Sequence, residues 1–322
     1  MIATSRVFFD FIEGSCQQCM KSNSKWAGLA AAACILWGIS GLFAKGLFNL
    51  DPRITPIWVT QMRQVCSGLI LLIVAQLTGK HPWQVWKDKK SAVQLLAYAV
   101  IGVLPFQYCF SLVVAQANAA IATVIQFIGP FFVLAYLTLT KQEALRPFDV
   151  AASLLAFGGV FLLSTHGNIH DLRIAPLTLL FGIMSAVGAA ANSLLPQALV
   201  TRQSTISVTG WGLLISGLIL TAIHPVLPSL PSSPTVYLNL SVVIVMGTII
   251  PTLWQNHALG HISGMTVAFM DAFEPLASMI GSIIVFHFQP QMMDYAASVM
   301  IIFAVLALNW TPRSKIKSRV EK

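Results

Sequence analysis

Asp271 and Glu274 stand three residues apart inside a long apolar stretch, with Pro275 directly after them. On a helix that spacing puts both carboxylates on one face, about one turn apart. A charge near the middle of a membrane-spanning helix costs roughly 2.5 to 3.5 kcal/mol on insertion scales, so each one asks for a reason. Arg63 is the third such charge. Two carboxylates so close and partly desolvated cannot both ionise cheaply, which is the property a proton-coupled carrier needs. The structural alternative is an internal hydrogen-bonded pair, or a salt bridge to Arg63 that locks two helices together. Pro130 occupies the place in another apolar stretch that Pro275 occupies here. Proline cannot donate to the carbonyl four residues earlier, which belongs to Gln126 and to Asp271. Each place is therefore expected to offer a freed carbonyl beside a polar side chain, with a plain packing kink as the alternative.

Softer candidates lie in other apolar stretches. Trp37, Gln107, Asn192, Trp254, Gln255 and Asn256 could supply aromatic faces for a cationic amine or amides for a carboxylate. For any one of them, packing or an interhelical hydrogen bond is the plainer reading. His257 and His261 are spaced like metal ligands but have no third partner nearby, so no metal is expected and a polar helix end is preferred. Cys16 and Cys19 form a single Cys-x-x-Cys pair, a weak signal alone. Cys34, Cys66 and Cys109 read as small apolar fillers. Neither a phosphate-binding glycine loop nor a recognisable nucleophile motif occurs, so no cofactor and no enzymatic activity are expected, and the energy source would be a gradient.

These residues need a bilayer around them. With 56% hydrophobic and 9% charged residues, the chain cannot hide its apolar surface as a soluble domain. Crossing about 30 Å of hydrocarbon takes roughly 20 helical residues. Ten stretches qualify, near 26–47, 54–77, 91–114, 119–140, 147–165, 175–200, 205–223, 236–258, 263–288 and 292–310. Continuous helices are expected because lipid leaves only helices and closed barrels able to satisfy their own backbone, and barrel-like alternation is missing. The fold class is an all-α membrane protein.

The chain also repeats itself about 145 residues apart. Gln126 to Pro130 aligns with Asp271 to Pro275, and Asp149, Ala151, Ala152 and Ser153 fall on Asp294, Ala296, Ala297 and Ser298. Upstream, Leu36-Trp37-Gly38-Ile39 answers to Leu180-Phe181-Gly182-Ile183, Ser67 to Leu71 recurs as Ser216 to Leu220, and Gly102 and Pro105 answer to Gly247 and Pro251. Five spans per copy force the second copy upside down. The expected organisation is a lead over 1–25, in which 1–19 precede a more conventional start at Met20, then inverted five-helix repeats at 26–165 and 175–310 around a central cavity, and a basic tail at 311–322. The run Gly182, Ser185, Ala186, Gly188, Ala189 and Ala190 gives helix 6 a small-residue face for close packing.

Charge sets the orientation. With the N-terminus cytoplasmic, fifteen of the nineteen Lys and Arg residues fall on the inner side, and both termini are expected there in the cell membrane. This accounts for the net charge of +8 through anionic lipid headgroups, without nucleic acid. Pro225, Pro228, Pro231 and Pro234, every third residue, predict a stiff outer strap. Trp83 and Trp86 among the lysines from Lys80 to Lys90 predict an interfacial segment.

The chain resembles the EamA-type ten-helix permeases of the drug/metabolite transporter superfamily. Leu36-Trp37-Gly38, Arg63, Gly129-Pro130 followed by Glu143, and Glu274-Pro275 carry the likeness. A subgroup labelled carboxylate/amino acid/amine transporters is similar through Gln107-Tyr108, Asn118-Ala119-Ala120 and Thr165-His166-Gly167-Asn168. The resemblance implies a pseudo-symmetric basket with helices 5 and 10 outside and, usually, export of amino acids or other small metabolites. Phe288 and Gln289 stand where the second copy would hold the counterpart of Glu143, so that acid is not duplicated. The expected function is secondary export of amino acids or related amines and carboxylates by alternating access. The expected partners are a small-molecule substrate, the bilayer and a coupling proton; a homodimer is left open. The alternatives are import of a quaternary amine such as choline through a Trp37–Trp254 cage, and a receptor or accessory subunit that transports nothing.

Overall fold

The computed structural model describes residues 3–51, 53–141, 147–165, 175–225, 233–287 and 289–310, with side-chain surroundings from residue 24 onward except at 306 and 308–310. The Cys16–Cys19 pair, Glu143, Phe288, the interior of the proline strap, the residues after Thr165 and the basic tail lie outside the described residues. Ten helices follow in order: α1 (Ala3–Leu50), α2 (Pro56–Leu77), α3 (Lys89–Gln116), α4 (Ala119–Leu139), α5 (Pro147–Thr165), α6 (Pro176–Val200), α7 (Thr205–Ile223), α8 (Pro234–Leu259), α9 (Gly264–Val285) and α10 (Met292–Trp310). Nine of them contain, among the described residues, a stretch long and apolar enough to cross a membrane; α10 is apolar over the shorter run Met292–Val305.

Helix starts are written in the sequence. Thr55 caps α2 through the Trp58 N–H and Pro56 sets the first turn. Asp88 caps α3 through the N–H groups of Lys90 and Ser91, and the Ser91 hydroxyl, donating at 2.6 Å, together with these bonds holds its carboxyl below the ordinary carboxylate range. Asn118 and Ser263 cap α4 and α9 through the N–H groups of Ile121 and Thr266. Before α3, the short helix Pro82–Trp86 leaves Trp83 exposed and packs Trp86 edge-on against Trp211, whose indole N–H donates to the Pro82 carbonyl.

Four helices are not continuous: α4 and α9 are interrupted at the paired prolines, and the π-turns of α3 and α8 correct the expectation of unbroken spans there. α3 winds as a π-helix over Tyr98–Val103 and α8 over Val245–Ile249, each just before its proline, Pro105 or Pro251. Proline deletes one donor and crowds the carbonyl four residues back, so the ladder widens: Leu104 donates to Ala99 and Ile250 to Val245, five residues away. α4 and α9 break instead, into Ala119–Gln126 with Gly129–Leu139 and Gly264–Met270 with Phe273–Phe286. All four interruptions occur at places the internal repeat pairs.

Packing shows what the small residues are for. α2 crosses α7 where Gly68 faces Gly217's helix: a Cβ on Gly68 would lie 2.6 Å from the Leu214 backbone nitrogen, and one on Gly217 would lie 2.9 Å from that of Val65. α5 and α10 pair through Gly159, whose Cβ would lie 2.7 Å from Ile301 Cγ1. α1 packs against α8 and α9 of the second repeat, while α6 packs against α3 and α4 of the first. The repeats thus exchange their first helices, which interlocks them. Large apolar side chains such as Ile73, Leu154, Leu238, Ile284 and Val299 remain exposed on the outside, as lipid-facing surface requires.

Gly68→Val is expected to destabilise the protein by roughly 1 to 3 kcal/mol through overpacking at this crossing. Gly28, with open space around its Cβ position, is the control: Gly28→Ala should be neutral or stabilising by about 1 kcal/mol. Thermal melting in detergent distinguishes the two.

Candidate functional site

The breaks in α4 and α9 meet beside a cleft lined by Phe106, Thr123, Gln126, Pro130, Asp271 and Glu274, with small residues of α4, α6 and α9 completing it. Its empty space, counted with the open mouth, is about 410 Å³. Four helices reach it: α3 beside its proline, α4 and α9 at their breaks, and α6 by its small-residue face. Glycine makes the approach possible on both sides. A Cβ at Gly38 of α1 would overlap the carbonyl oxygen of Glu274, and one at Gly129 would lie 3.1 Å from the Ala186 oxygen of α6.

The two acids have different surroundings. Asp271 is held: its Oδ1 accepts from Gln255 Nε2 at 3.1 Å and from the Cys34 thiol at 3.4 Å. Behind Gln255 stands Asn192, whose Nδ2 donates to Gln255 Oε1 at 3.4 Å. A polar relay therefore runs from α6 through α8 to α9, with α1 closing it. Among the described residues no hydrogen bond reaches the Glu274 carboxylate; the neighbour whose charge it feels is Arg63. No ion pair closes between them among the described residues. Arg63 Nε is buried and has no hydrogen-bond partner. The interhelical salt bridge weighed from the sequence is thus not formed: the charges of Arg63 and Glu274 act on one another without contact, and Arg63 is not among the residues that line the cleft.

In the first repeat the position of Asp271 is taken by Gln126. Its amide donates to the Phe106 carbonyl at 3.0 Å and to Ser185 Oγ at 2.6 Å, tying the α4 break to α3 and α6. The backbone departs from the sequence expectation at one point. The Asp271 carbonyl is not free: it accepts the Glu274 N–H at 3.1 Å, because the chain tightens into a turn at the break. Cys34 is not a mere filler either, since its thiol serves Asp271.

The other expected residues are scattered. Trp37 is buried against Phe106, ring centres 6.1 Å apart. Trp254 is half-buried, and among the described residues no ring contact joins it to Trp37. Gln107 is buried within α3 and its carbonyl accepts from Ser111 Oγ. Asn192 reaches the site only through Gln255, and Pro275 does not line the cleft. His261 stacks on Trp26 at 3.8 Å, with His257 edge-on to both, away from the cleft. Cys34, Phe106, Thr123 and Ser185 were not singled out for the site. A signal existed for two of them: Cys34 precedes Trp37 by one helical turn, and Ser185 belongs to the small-residue face.

Gln255→Leu removes the amide that holds Asp271 and strands Asn192. A loss of about 1 to 3 kcal/mol is expected for a hydrogen bond to an ionisable group, read as a lowered melting temperature that Asp271→Asn in the same protein partly restores.

Comparison with known proteins fits this arrangement. The profile of the EamA-like transporter family matches residues 24–165 and again 176–310, one match per repeat. An uncharacterized inner membrane transporter of Salmonella typhimurium, YicL, is 29% identical over 287 residues, covering 89% of this chain and 95% of that protein. An uncharacterized transporter of Archaeoglobus fulgidus is 22% identical over 211 residues, 65% of this chain and 68% of its own length. One solved crystal structure superposes with a TM-score of 0.72 at 16% identity, covering 88% of this chain and 96% of that one, and so shares the fold. The chain therefore belongs to the EamA-like transporter family: it is a multi-pass membrane transporter of ten helices in two inverted repeats, not an enzyme.

Proposed function

We propose that the protein is a secondary transporter for small zwitterionic or cationic metabolites, amino acids and related amines foremost, and that Glu274 and Arg63 are the two poles of its site. The observation that carries this reading is the unjoined pair itself. A carboxylate facing the cleft, with no hydrogen-bond donor among the described residues, can take an ammonium group or a proton, and a part-buried guanidinium whose buried Nε has no partner among them can take a carboxylate. Leaving either charge unsatisfied in the membrane is costly, and a ligand with both charges relieves both. Asp271, fixed by Gln255 and Cys34, is the stationary acid that holds Glu274 poised to exchange its proton.

The same reading places the face carrying Lys25, Lys80, Lys87, Lys89, Lys90, Lys141 and Arg202 in the cytoplasm, opposite Lys45 and Arg53. Both termini lie on that face, and net transport is taken as outward, as the family resemblance implies, driven by a counter-moving proton. Alternating exposure of the cleft follows from the two inverted repeats.

Proteoliposomes with a labelled panel of amino acids and amines, with and without a pH gradient, test this. Glu274→Gln should abolish flux, or remove its dependence on the pH gradient, while membrane insertion stays intact; wild-type flux and pH dependence in that variant would count against the proposal. Arg63→Met should lower flux of zwitterions by at least about tenfold, the scale of one lost charge-assisted bond, yet spare amines that lack a carboxylate. Equal losses for both classes would remove Arg63 from the site.

A further inference from the structure

At one end of the bundle a buried side-chain amide makes a polar crossing between the repeats. On the face carrying most of the lysines, Asn256 of α8 donates through Nδ2 to Tyr98 Oη at 3.0 Å and to Thr209 Oγ1 at 2.9 Å. The three residues come from α3, α8 and α7, and all are buried. Tyr98 belongs to the first repeat, the other two to the second. Its ring fills the space left by Gly212 of α7, where a Cβ would overlap Tyr98 Cε1. Along α3, Tyr98 is two turns nearer this face than Phe106 of the cleft, so the cluster stands between the cleft and the face.

The repeat shows what the opposite end has instead. In the register that pairs Ser67 with Ser216, Thr209 answers to Thr60 and Gly212 answers to Arg63. Thr60 does bond its neighbouring helix, to Ser111 Oγ of α3 at 2.6 Å, but both partners belong to the first repeat. Tyr98 falls, in the register that pairs Gly102 with Gly247, on Val243, which has no side-chain polar group. One closure therefore uses a hydrogen bond across the repeats and a ring seated on glycine. At the matching positions the other has an aliphatic side chain and an arginine, and its hydrogen bonds across the repeats lie elsewhere, from Gln61 to the Leu220 and His224 carbonyls and from Thr178 to Gln116 Oε1 at 2.8 Å.

We infer that Tyr98, Asn256 and Thr209 form a latch that holds this face closed and must part for the cleft to open there. The cluster is incompletely satisfied. Asn256 Oδ1 is buried and has no partner among the described residues, and Thr252 Oγ1, one turn earlier on α8, is in the same condition. Turning the amide over exchanges its ends without pairing both. Opening would admit water to these atoms, so the latch lowers the energy of the closed form by a modest amount and leaves it able to release. The neighbouring contacts Gln94 Nε2 to the Leu195 carbonyl, 2.8 Å, and Gln197 Nε2 to the Ile262 carbonyl, 3.2 Å, lie on the same face and would part or shift with it.

Thiol accessibility tests the latch without knowledge of the substrate. The reporter is Ala189→Cys, in the middle of α6 on the cleft, in a chain whose five native cysteines are replaced by serine. The full-length protein is labelled with a membrane-impermeant maleimide from each side of reconstituted vesicles, a tag at the N-terminus identifying the lysine-rich face. Tyr98→Phe, which keeps the ring, and Thr209→Val should each speed labelling from that face by about threefold to tenfold, the worth of one buried hydrogen bond, with a matching fall from the opposite face. Ser111→Ala should leave labelling from the lysine-rich face unchanged. Unaltered rates in both latch variants, or an equal rise with Ser111→Ala, would overturn the inference. The outcome is independent of the Glu274–Arg63 proposal, which can fail while the latch stands.

Discussion

In hydrocarbon every backbone donor and acceptor must be paired within its own helix, so a helix can be interrupted only where protein or a polar cavity takes over its unpaired groups. The rest of this fold is arranged around that constraint. Pro105, Pro130, Pro251 and Pro275 each remove a donor, and the backbone rearranges locally at each. In α3 and α8 the ladder re-registers as a π-turn; in α4 and α9 it stops and restarts beside the cleft. Gln126 then satisfies the Phe106 carbonyl, and the Asp271 carbonyl finds the Glu274 N–H. The cleft thus lies where the breaks of α4 and α9 meet α3 beside its proline, and the polar side chains that serve the backbone there are also the ones at hand for a ligand.

Close packing makes that convergence possible. With lipid tails as apolar as leucine, helices in a membrane gain little from hiding apolar surface from one another, and contact depends on how near the backbones can come. Gly38, Gly68, Gly129, Gly188 and Gly217 mark the points of nearest approach, and each has its counterpart or its partner in the other repeat. Exchange of α1 and α6 between the repeats means that neither half can move alone: any displacement of α8 and α9 carries α1 with it.

Inverted repeats would give a transporter two equivalent faces, and the substitutions that break the equivalence are where its function becomes directional. Gln126 opposite Asp271 makes one half neutral and the other acidic. Arg63 opposite Gly212 puts a cation in one half and an empty seat for Tyr98 in the other.

Much of this was legible in the chain. The ten helices and the repeat follow from hydropathy and from residues such as Gly102 and Gly247, because lipid permits so few backbone solutions that composition and length nearly determine them. Asp271, Glu274, Gln126 and Arg63 stood out for the same reason, as polar groups at an expensive depth. Side-chain partners were not legible. Nothing local to Cys34 says that its thiol faces Asp271, 237 positions away, or that Gln255 holds that acid while Glu274 is left without a donor. Nor does it say that Tyr98 sits on Gly212, or that Trp37 and Trp254 stay apart. Helical periodicity fixes which residues share a face, but the rotation and tilt that bring one face against another are settled by steric fit among all ten helices, and only the assembled tertiary structure contains them.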